Sequence, residues 1–128
     1  MVKTKEDKAK YKVFFRRING TSNIEIQEST DAKYREKYLP NEILIMSENG
    51  VSANTNIEKR PQMKRLIEMV MDNQVDIVYV YDLSRLFRDF YKFNYFVFLC
   101  NKHNVKIFYT STGIQHQDNI LLNLILSY

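Results

Sequence analysis

A chain of 128 residues is long enough to bury a hydrophobic core as one domain, and its net charge of +4 permits a polyanionic partner without requiring one. Contents of 45% hydrophobic and 13% aromatic residues exclude a disordered chain, while three glycines and two prolines are too few for an all-β fold with many tight turns. No apolar segment approaches the roughly 20 residues of a membrane span, and no apolar run follows the lysine-rich start, so we expect neither an anchor nor a signal peptide. The single cysteine, Cys100, argues against a disulfide scaffold and indicates the reducing cytoplasm.

The first half of the chain is predicted to contain two strands and one polar helix. Residues 1–10 alternate lysine with acidic residues and are interpreted as a flexible arm ahead of a domain that spans residues 11–128. A strand is predicted at Tyr11–Ile18. Its two faces carry Val13, Phe15 and Arg17 on one side and Phe14, Arg16 and Ile18 on the other. Ser22 or Asn23 can cap the following helix, which ends before Pro40. A second strand is predicted at Ile43–Met46, followed by a polar loop over residues 47–56.

The second half alternates helices and strands. Arg60-Pro61 opens a helix whose buried face is predicted to carry Met63, Leu66, Ile67, Val70 and Met71. A strand buried on both faces is predicted at residues 77–81, then an aromatic helix from Phe90 to about Lys102, then a fourth strand at Val105–Tyr109. A polar loop over residues 110–117 leads to a last apolar helix over residues 120–126. The pattern predicts an α/β fold with a mostly parallel sheet of four to five strands flanked by helices.

Two arginines follow the buried third strand directly. Arg85 and Arg88 would lie just past its carboxyl end, the position where open α/β sheets bind ligands. A guanidinium group offers five donors in a planar fork that suits phosphate oxygens. The alternative is that both arginines are solvated charges on the first turn of the next helix.

Neither a metal nor a cofactor is predicted. His103 has no second metal ligand nearby in the sequence, and no glycine-rich phosphate loop follows the first strand. The missing loop also disfavours a small nucleotide-binding domain.

Several motifs together resemble the catalytic domain of the serine site-specific recombinases, the resolvase and invertase family. Leu83-Ser84-Arg85-Leu86-Phe87-Arg88 is similar to the family pattern Leu-Asp-Arg-Leu-x-Arg, with Ser84 in the place of the aspartate. The other similar segments are Phe14-Phe15-Arg16, Ile24-Glu25-Ile26-Gln27, Glu48-Asn49-Gly50-Val51-Ser52-Ala53, Arg60-Pro61 and Asn104-Val105-Lys106-Ile107. The resemblance implies that Arg16, Arg60, Arg85 and Arg88 surround a scissile DNA phosphate, with Arg16, Arg85 and Arg88 binding the nucleic acid. The alternative is that these arginines only pair with Glu48, Asp82 or Asp89 at the sheet edge.

The chain departs from the family at the nucleophile. The family motif is aromatic-x-Arg-Val-Ser, and an alignment without a gap puts Ile18 at the serine position, whereas a shift by one residue puts Asn19 there. Neither side chain is a nucleophile, so we expect no DNA cleavage. Thr21 and Ser22 are the nearest hydroxyls, and Ser22 is the candidate replacement. Two functions stay open: a recombinase catalytic domain, or a non-catalytic relative that binds DNA or regulates recombinase assembly.

The last helix is apolar on nearly every side and looks cut short at Tyr128. The resemblance implies that a longer helix packs against a second subunit and leads to a separate DNA-reading domain. We therefore expect a homodimer or tetramer formed through residues 118–128, and DNA binding that depends mainly on the phosphate backbone.

Overall fold

Five strands form one mostly parallel sheet in the computed structural model, which describes residues 10–18, 24–49 and 57–117. The strands are β1 (Tyr11–Ile18), β2 (Ile43–Asn49), β3 (Val75–Val80), β4 (Lys106–Tyr109) and β5 (Ile114–Gln115), in the spatial order β2-β1-β3-β4-β5. The first four strands are parallel, and β5 pairs antiparallel with β4. Because β1 and β3 lie side by side at the centre, their carboxyl ends bring two parts of the sequence together at one edge of the sheet.

In the described part of the chain, three α-helices cover the two faces of the sheet. They are α1 (Ile24–Arg35), α2 (Pro61–Met71) and α3 (Phe90–Lys102). Pro61 starts α2, where its missing N–H costs no hydrogen bond. The Asp89 side chain caps α3 by accepting hydrogen bonds from the backbone N–H groups of Tyr91 and Lys92. The starts of α2 and α3 are therefore marked by residue types that favour the first turn or the cap of a helix.

The alternation along β1 divides the core into two layers. Val13 and Phe15 face α2 and α3 and pack in the larger cluster with Met63, Leu66 and Phe96. On the opposite face, a smaller aromatic cluster joins Phe14 and Tyr79 to Tyr34 of α1. The rings of Phe14 and Tyr79 are stacked with centroids 4.6 Å apart. Neighbouring residues of β1 consequently project into different layers, and this decides which arginine reaches which surroundings.

The predicted α/β fold is confirmed, with corrections in detail. The strand at Tyr11–Ile18 and its two faces are as predicted, whereas β2 extends to Asn49 and the third strand covers Val75–Val80. The segment predicted as a polar loop over residues 110–117 contains β5, a strand too short to show a periodic pattern. Met71, placed on the buried face of α2 by its spacing, is 49% exposed because it is the last residue of that helix.

Two further predictions concern the ends of the chain. All but residue 10 of the arm predicted at residues 1–10, and the whole apolar helix predicted at residues 120–126, lie outside the described residues, so both stay predictions. Within the described ranges, no helix is both long and apolar enough to cross a membrane.

Candidate phosphate-binding site

Four arginines meet where β1 and β3 end, and one of them is Arg17. Its side chain is buried on the α2 and α3 face, and its Nη2 donates a hydrogen bond to the carbonyl oxygen of Ser84 at 3.3 Å. Burial lowers the pKa of Arg17, and the positive charges of Arg85, Arg88 and Arg60 lower it further. The three other guanidinium groups thus lie close enough to Arg17 to repel its positive charge, and an anion bound among them would relieve that repulsion.

Arg60 is the fixed member of this arginine cluster. Its side chain is fully buried, and its Nε and Nη2 donate to Oε1 of Glu48 at 3.0 and 2.7 Å. Its Nη1 donates to the carbonyl oxygen of Leu86 at 2.6 Å, and its guanidinium lies 5.1 Å from the ring centroid of Phe87. Arg60 therefore links the end of β2 to the segment that carries Arg85 and Arg88.

Arg85 and Arg88 lie between β3 and α3. Arg85 ends the 3-10 turn Leu83–Arg85, so it belongs to a separate turn and not to the first turn of α3, which begins at Phe90. Its guanidinium lies 5.6 Å from the ring centroid of Tyr81, and its Nε is 3.8 Å from Oδ1 of Asp82. The Nε of Arg85 is buried and makes no hydrogen bond with the described part of the chain. Arg88 is exposed, so Arg85 and Arg88 are the members of the cluster nearest to solvent.

Arg16 is not part of this cluster. Its Nε and Nη2 donate to the two carboxylate oxygens of Asp31 on α1, both at 3.1 Å. Its Nη1 lies 3.6 Å from Oε1 of Glu28. The reason is the pleat of β1, which directs Arg16 and Arg17 to opposite faces of the sheet. Arg16 instead joins β1 to α1.

The structure tests the expected ion pairs one by one. Glu48 pairs with Arg60, as the alternative interpretation of the arginines expected. Asp82 lies only loosely beside Arg85, whereas Asp89 caps α3. The cluster thus retains positive charge that these carboxylates do not neutralise through close contact.

Thr21, Ser22 and Asn19 lie outside the described residues. Ile18 is described and shares the α1 face of β1 with Arg16, opposite to the arginine cluster. An attacking group placed at Ile18 would therefore point away from Arg85 and Arg88.

Two residues of the site were not recognised as such from the sequence. Gln27 of α1 brackets Arg17: its Oε1 accepts from the backbone N–H at 3.2 Å, and its Nε2 donates to the backbone carbonyl at 3.1 Å. The signal was a glutamine on a largely polar helix, and its role becomes visible only once α1 is packed against β1. Ser84 donates a hydrogen bond from its Oγ to Oδ1 of Asp82 at 2.5 Å.

The described residues contain no cluster of histidine, cysteine, aspartate and glutamate suited to a metal ion. His103 is the C-cap residue that follows α3, and its Nδ1 lies 2.9 Å from Oδ1 of Asn73. Cys100 is buried in the larger core cluster, and burial raises the pKa of its thiol to about 12.

The family assignment comes from a model of known sequences. The model described as the resolvase N-terminal domain matches residues 19–127, most of the chain. The chain belongs to the resolvase family. The match starts after β1, so it rests on the residues that follow the departing motif.

Solved structures agree with this assignment of the resolvase-family chain. The N-terminal catalytic domain of TP901-1 integrase is 26% identical over 91% of each chain, with a TM-score of 0.67. A resolvase family site-specific recombinase from Streptococcus pneumoniae is 25% identical over 92% of this chain and 84% of that one, with a TM-score of 0.59. A serine recombinase from Sulfolobus solfataricus, 22% identical over 92% and 79% with a TM-score of 0.58, shares the fold. The comparison with curated proteins found no match. The chain thus has the catalytic-domain fold of the serine recombinases.

Proposed function

We propose that this resolvase-family domain binds the DNA backbone during DNA recombination and does not itself cleave it. The observation that carries the proposal is the hydrogen bond from Arg17 to the carbonyl oxygen of Ser84, which places its guanidinium at the turn that carries Arg85. The positive charges of Arg85, Arg88 and Arg60 lower the pKa of Arg17 there. Arg85 and Arg88 would contact a phosphate directly, because Arg88 is exposed and the Arg85 side chain is 16% exposed. Arg17 and Arg60 are buried and would contribute positive potential. Arg16 has no place in this proposal, since Asp31 holds its guanidinium.

The position of Arg17 also supports one alignment over the other. With Arg17 as the arginine of the motif aromatic-x-Arg-Val-Ser, Phe15 is the aromatic residue, Ile18 takes the place of valine and Asn19 takes the place of serine. An asparagine cannot attack phosphorus. Removing the serine nucleophile of a well-studied hydrolase lowers its turnover about 10⁶-fold, so this substitution alone is enough to suppress cleavage.

Backbone binding is tested by its salt dependence. We expect the affinity for a labelled DNA duplex to fall with salt, and the double variant Arg85→Ala/Arg88→Ala to reduce the slope of log Kd against log salt by about 1 to 2, since each neutralised phosphate contributes about 0.9 to that slope. Lys102→Ala/Lys106→Ala removes the same charge from the exposed surface at the opposite end of the sheet and should leave the slope close to that of the parent chain. Equal effects of the two double variants would leave Arg85 and Arg88 as solvated surface charges.

The absence of cleavage is tested on denaturing gels. Protein incubated with labelled duplex or nicked DNA should give no slowly migrating covalent species. A covalent species that disappears with Ser22→Ala or Thr21→Ala would instead show an active recombinase with a displaced hydroxyl, the first of the two functions left open by the sequence.

We further propose that the chain self-associates as a homodimer or tetramer through the apolar segment at residues 118–128. An exposed aromatic face on α3 supports the association, because large exposed apolar patches mark interaction surfaces. Its members are Phe90, Tyr91, Tyr95 and Phe98, which are between 54% and 82% exposed.

We also propose that the protein is located in the cytoplasm. A DNA-binding domain with a buried free thiol at Cys100 is consistent with that reducing compartment.

Sedimentation tests the association. The parent chain should show a mass that rises with concentration, and Leu121→Lys/Leu124→Lys should stay monomeric. Ser29→Lys/Asn41→Lys adds the same charge at two exposed positions outside that segment and should behave as the parent. A parent chain that is monomeric at high concentration would contradict the proposal.

A further inference from the structure

The carboxylate of Asp82 lies between two competing partners. Its Oδ1 accepts a hydrogen bond from Oγ of Ser84 at 2.5 Å, and the same oxygen is 3.8 Å from Nε of Arg85. The first distance is that of a strong hydroxyl–carboxylate bond, whereas the second is too long for a hydrogen bond. In this arrangement Asp82 is bound to Ser84 and leaves Arg85 open.

The open arrangement leaves Arg85 with an unused donor. Its Nε is buried and forms no hydrogen bond with the described residues, although a carboxylate oxygen lies less than 1 Å beyond hydrogen-bonding range. A buried donor without an acceptor is unfavourable, so Arg85 attracts Asp82 strongly. The hydrogen bond from the Ser84 hydroxyl opposes this movement, and the Asp82 side chain is 42% exposed and therefore has room to turn.

The backbone of the turn keeps the two partners in fixed positions. The carbonyl of Ser84 accepts from Arg17, and the N–H of Arg85 donates to the carbonyl of Asp82 at 3.2 Å. Because the turn itself is held, the choice of Asp82 between Ser84 and Arg85 depends on side-chain rotation alone.

We propose that Ser84 is a positioning residue that holds Asp82 away from Arg85 and so keeps Arg85 available for a phosphate group. The proposal rests on the proposed binding of DNA phosphates by Arg85. Without the Ser84 hydroxyl, Asp82 closes on Arg85 and acts as an internal anion that competes with the DNA phosphate. Ser84 thus sets the affinity of the site without touching the ligand.

A double-mutant cycle measures this coupling with a labelled DNA duplex at fixed salt. Ser84→Ala should raise Kd about threefold to tenfold, the range expected for one weakened charge-assisted hydrogen bond. Asp82→Asn should lower Kd or leave it unchanged, because it removes the competing charge. In the Asp82→Asn background, Ser84→Ala should have no further effect, since no carboxylate remains to be held. Ser84→Thr retains a hydroxyl and should restore the parent affinity.

A second measurement reports the closure directly. The Nε–H proton of Arg85, assigned from the signal that disappears in Arg85→Lys, should move downfield in Ser84→Ala when Asp82 accepts its hydrogen bond. The same signal should stay in place in Asp82→Asn/Ser84→Ala. This readout does not depend on DNA and would not respond to a general loosening of the turn.

The outcomes separate the two proposals. If Arg85→Ala leaves Kd unchanged, phosphate binding by the arginine cluster is wrong. If Arg85→Ala weakens binding but Ser84→Ala does not, or weakens it equally with Asn at position 82, the role of Ser84 is overturned while the binding site stands. Circular dichroism of each variant identifies any loss of fold, and Ser84→Thr decides the matter if Ser84→Ala unfolds.

Discussion

Substitution of Glu48 by methionine tests the buried centre of the site. The change keeps a side chain of similar volume and removes the negative charge that faces Arg60. Both side chains are nearly inaccessible to solvent, at 1% for Glu48 and 0% for Arg60. The variant therefore leaves a buried guanidinium without its carboxylate.

The size of the effect follows from the hydrogen bonds that the substitution removes. Glu48 accepts two charge-assisted hydrogen bonds from Arg60, each worth about 1.5 to 3 kcal/mol. The resulting loss of about 3 to 6 kcal/mol agrees with the cost of about 3 to 5 kcal/mol for removing one partner of a buried ion pair. It is a large part of the roughly 5 to 15 kcal/mol by which domains are stable. The melting temperature should fall by about 10 to 20 °C for a domain of this size.

Urea unfolding followed by circular dichroism measures the loss of stability. Tyrosine fluorescence provides a second probe, since the chain has no tryptophan. Glu48→Met/Arg60→Met should recover most of the stability, because a pair of apolar side chains can replace a buried ion pair at little cost. Glu58→Gln breaks the exposed pair with Lys64 and should cost less than about 1 kcal/mol. A loss below about 1 kcal/mol in Glu48→Met, or a double variant less stable than the single one, would refute the reasoning.

Further predictions concern three single residues. Gln27→Leu should lower the free energy of unfolding in urea by about 2 kcal/mol, because it removes both hydrogen bonds to the Arg17 backbone. An unchanged urea midpoint would contradict a stabilising role of these two hydrogen bonds. Asn104→Ala should cost about 1 kcal/mol while Asn104→Gly does not, because Asn104 has a φ of 58°; equal stability of the two variants would argue against backbone strain. Cys100, with a thiol pKa near 12, should not react with a disulfide reagent at pH 8 until the protein unfolds. Because burial disfavours the thiolate of Cys100, the urea midpoint should not depend on this thiol below its unfolded pKa of about 8.5 and should decline as the pH rises above that value.

The sequence alone determined the fold class and most of its elements. A short apolar run with residues on both faces specifies β1, β-branched and aromatic residues specify β3, and Pro61 and Asp89 mark the starts of two helices. These signals are local, because strand and helix periods are properties of a few consecutive residues. The segment around Arg85 and Arg88 resembles the resolvase family, and the match to the model of that family's N-terminal domain confirmed this assignment.

Only the tertiary structure decided which of two adjacent arginines belongs to the cluster. The sequence motif favoured Arg16 in the ungapped alignment, yet Arg16 lies on the α1 face with Asp31, and Arg17 meets Arg60, Arg85 and Arg88. A strand turns successive side chains to opposite faces, so a shift of one residue in an alignment exchanges two environments. Which environment holds the cluster depends on where α1, α2 and the turn at Leu83–Arg85 pack against the sheet. Those contacts join residues far apart in the sequence, such as Arg17 with Ser84 and Glu48 with Arg60, and no local pattern specifies them.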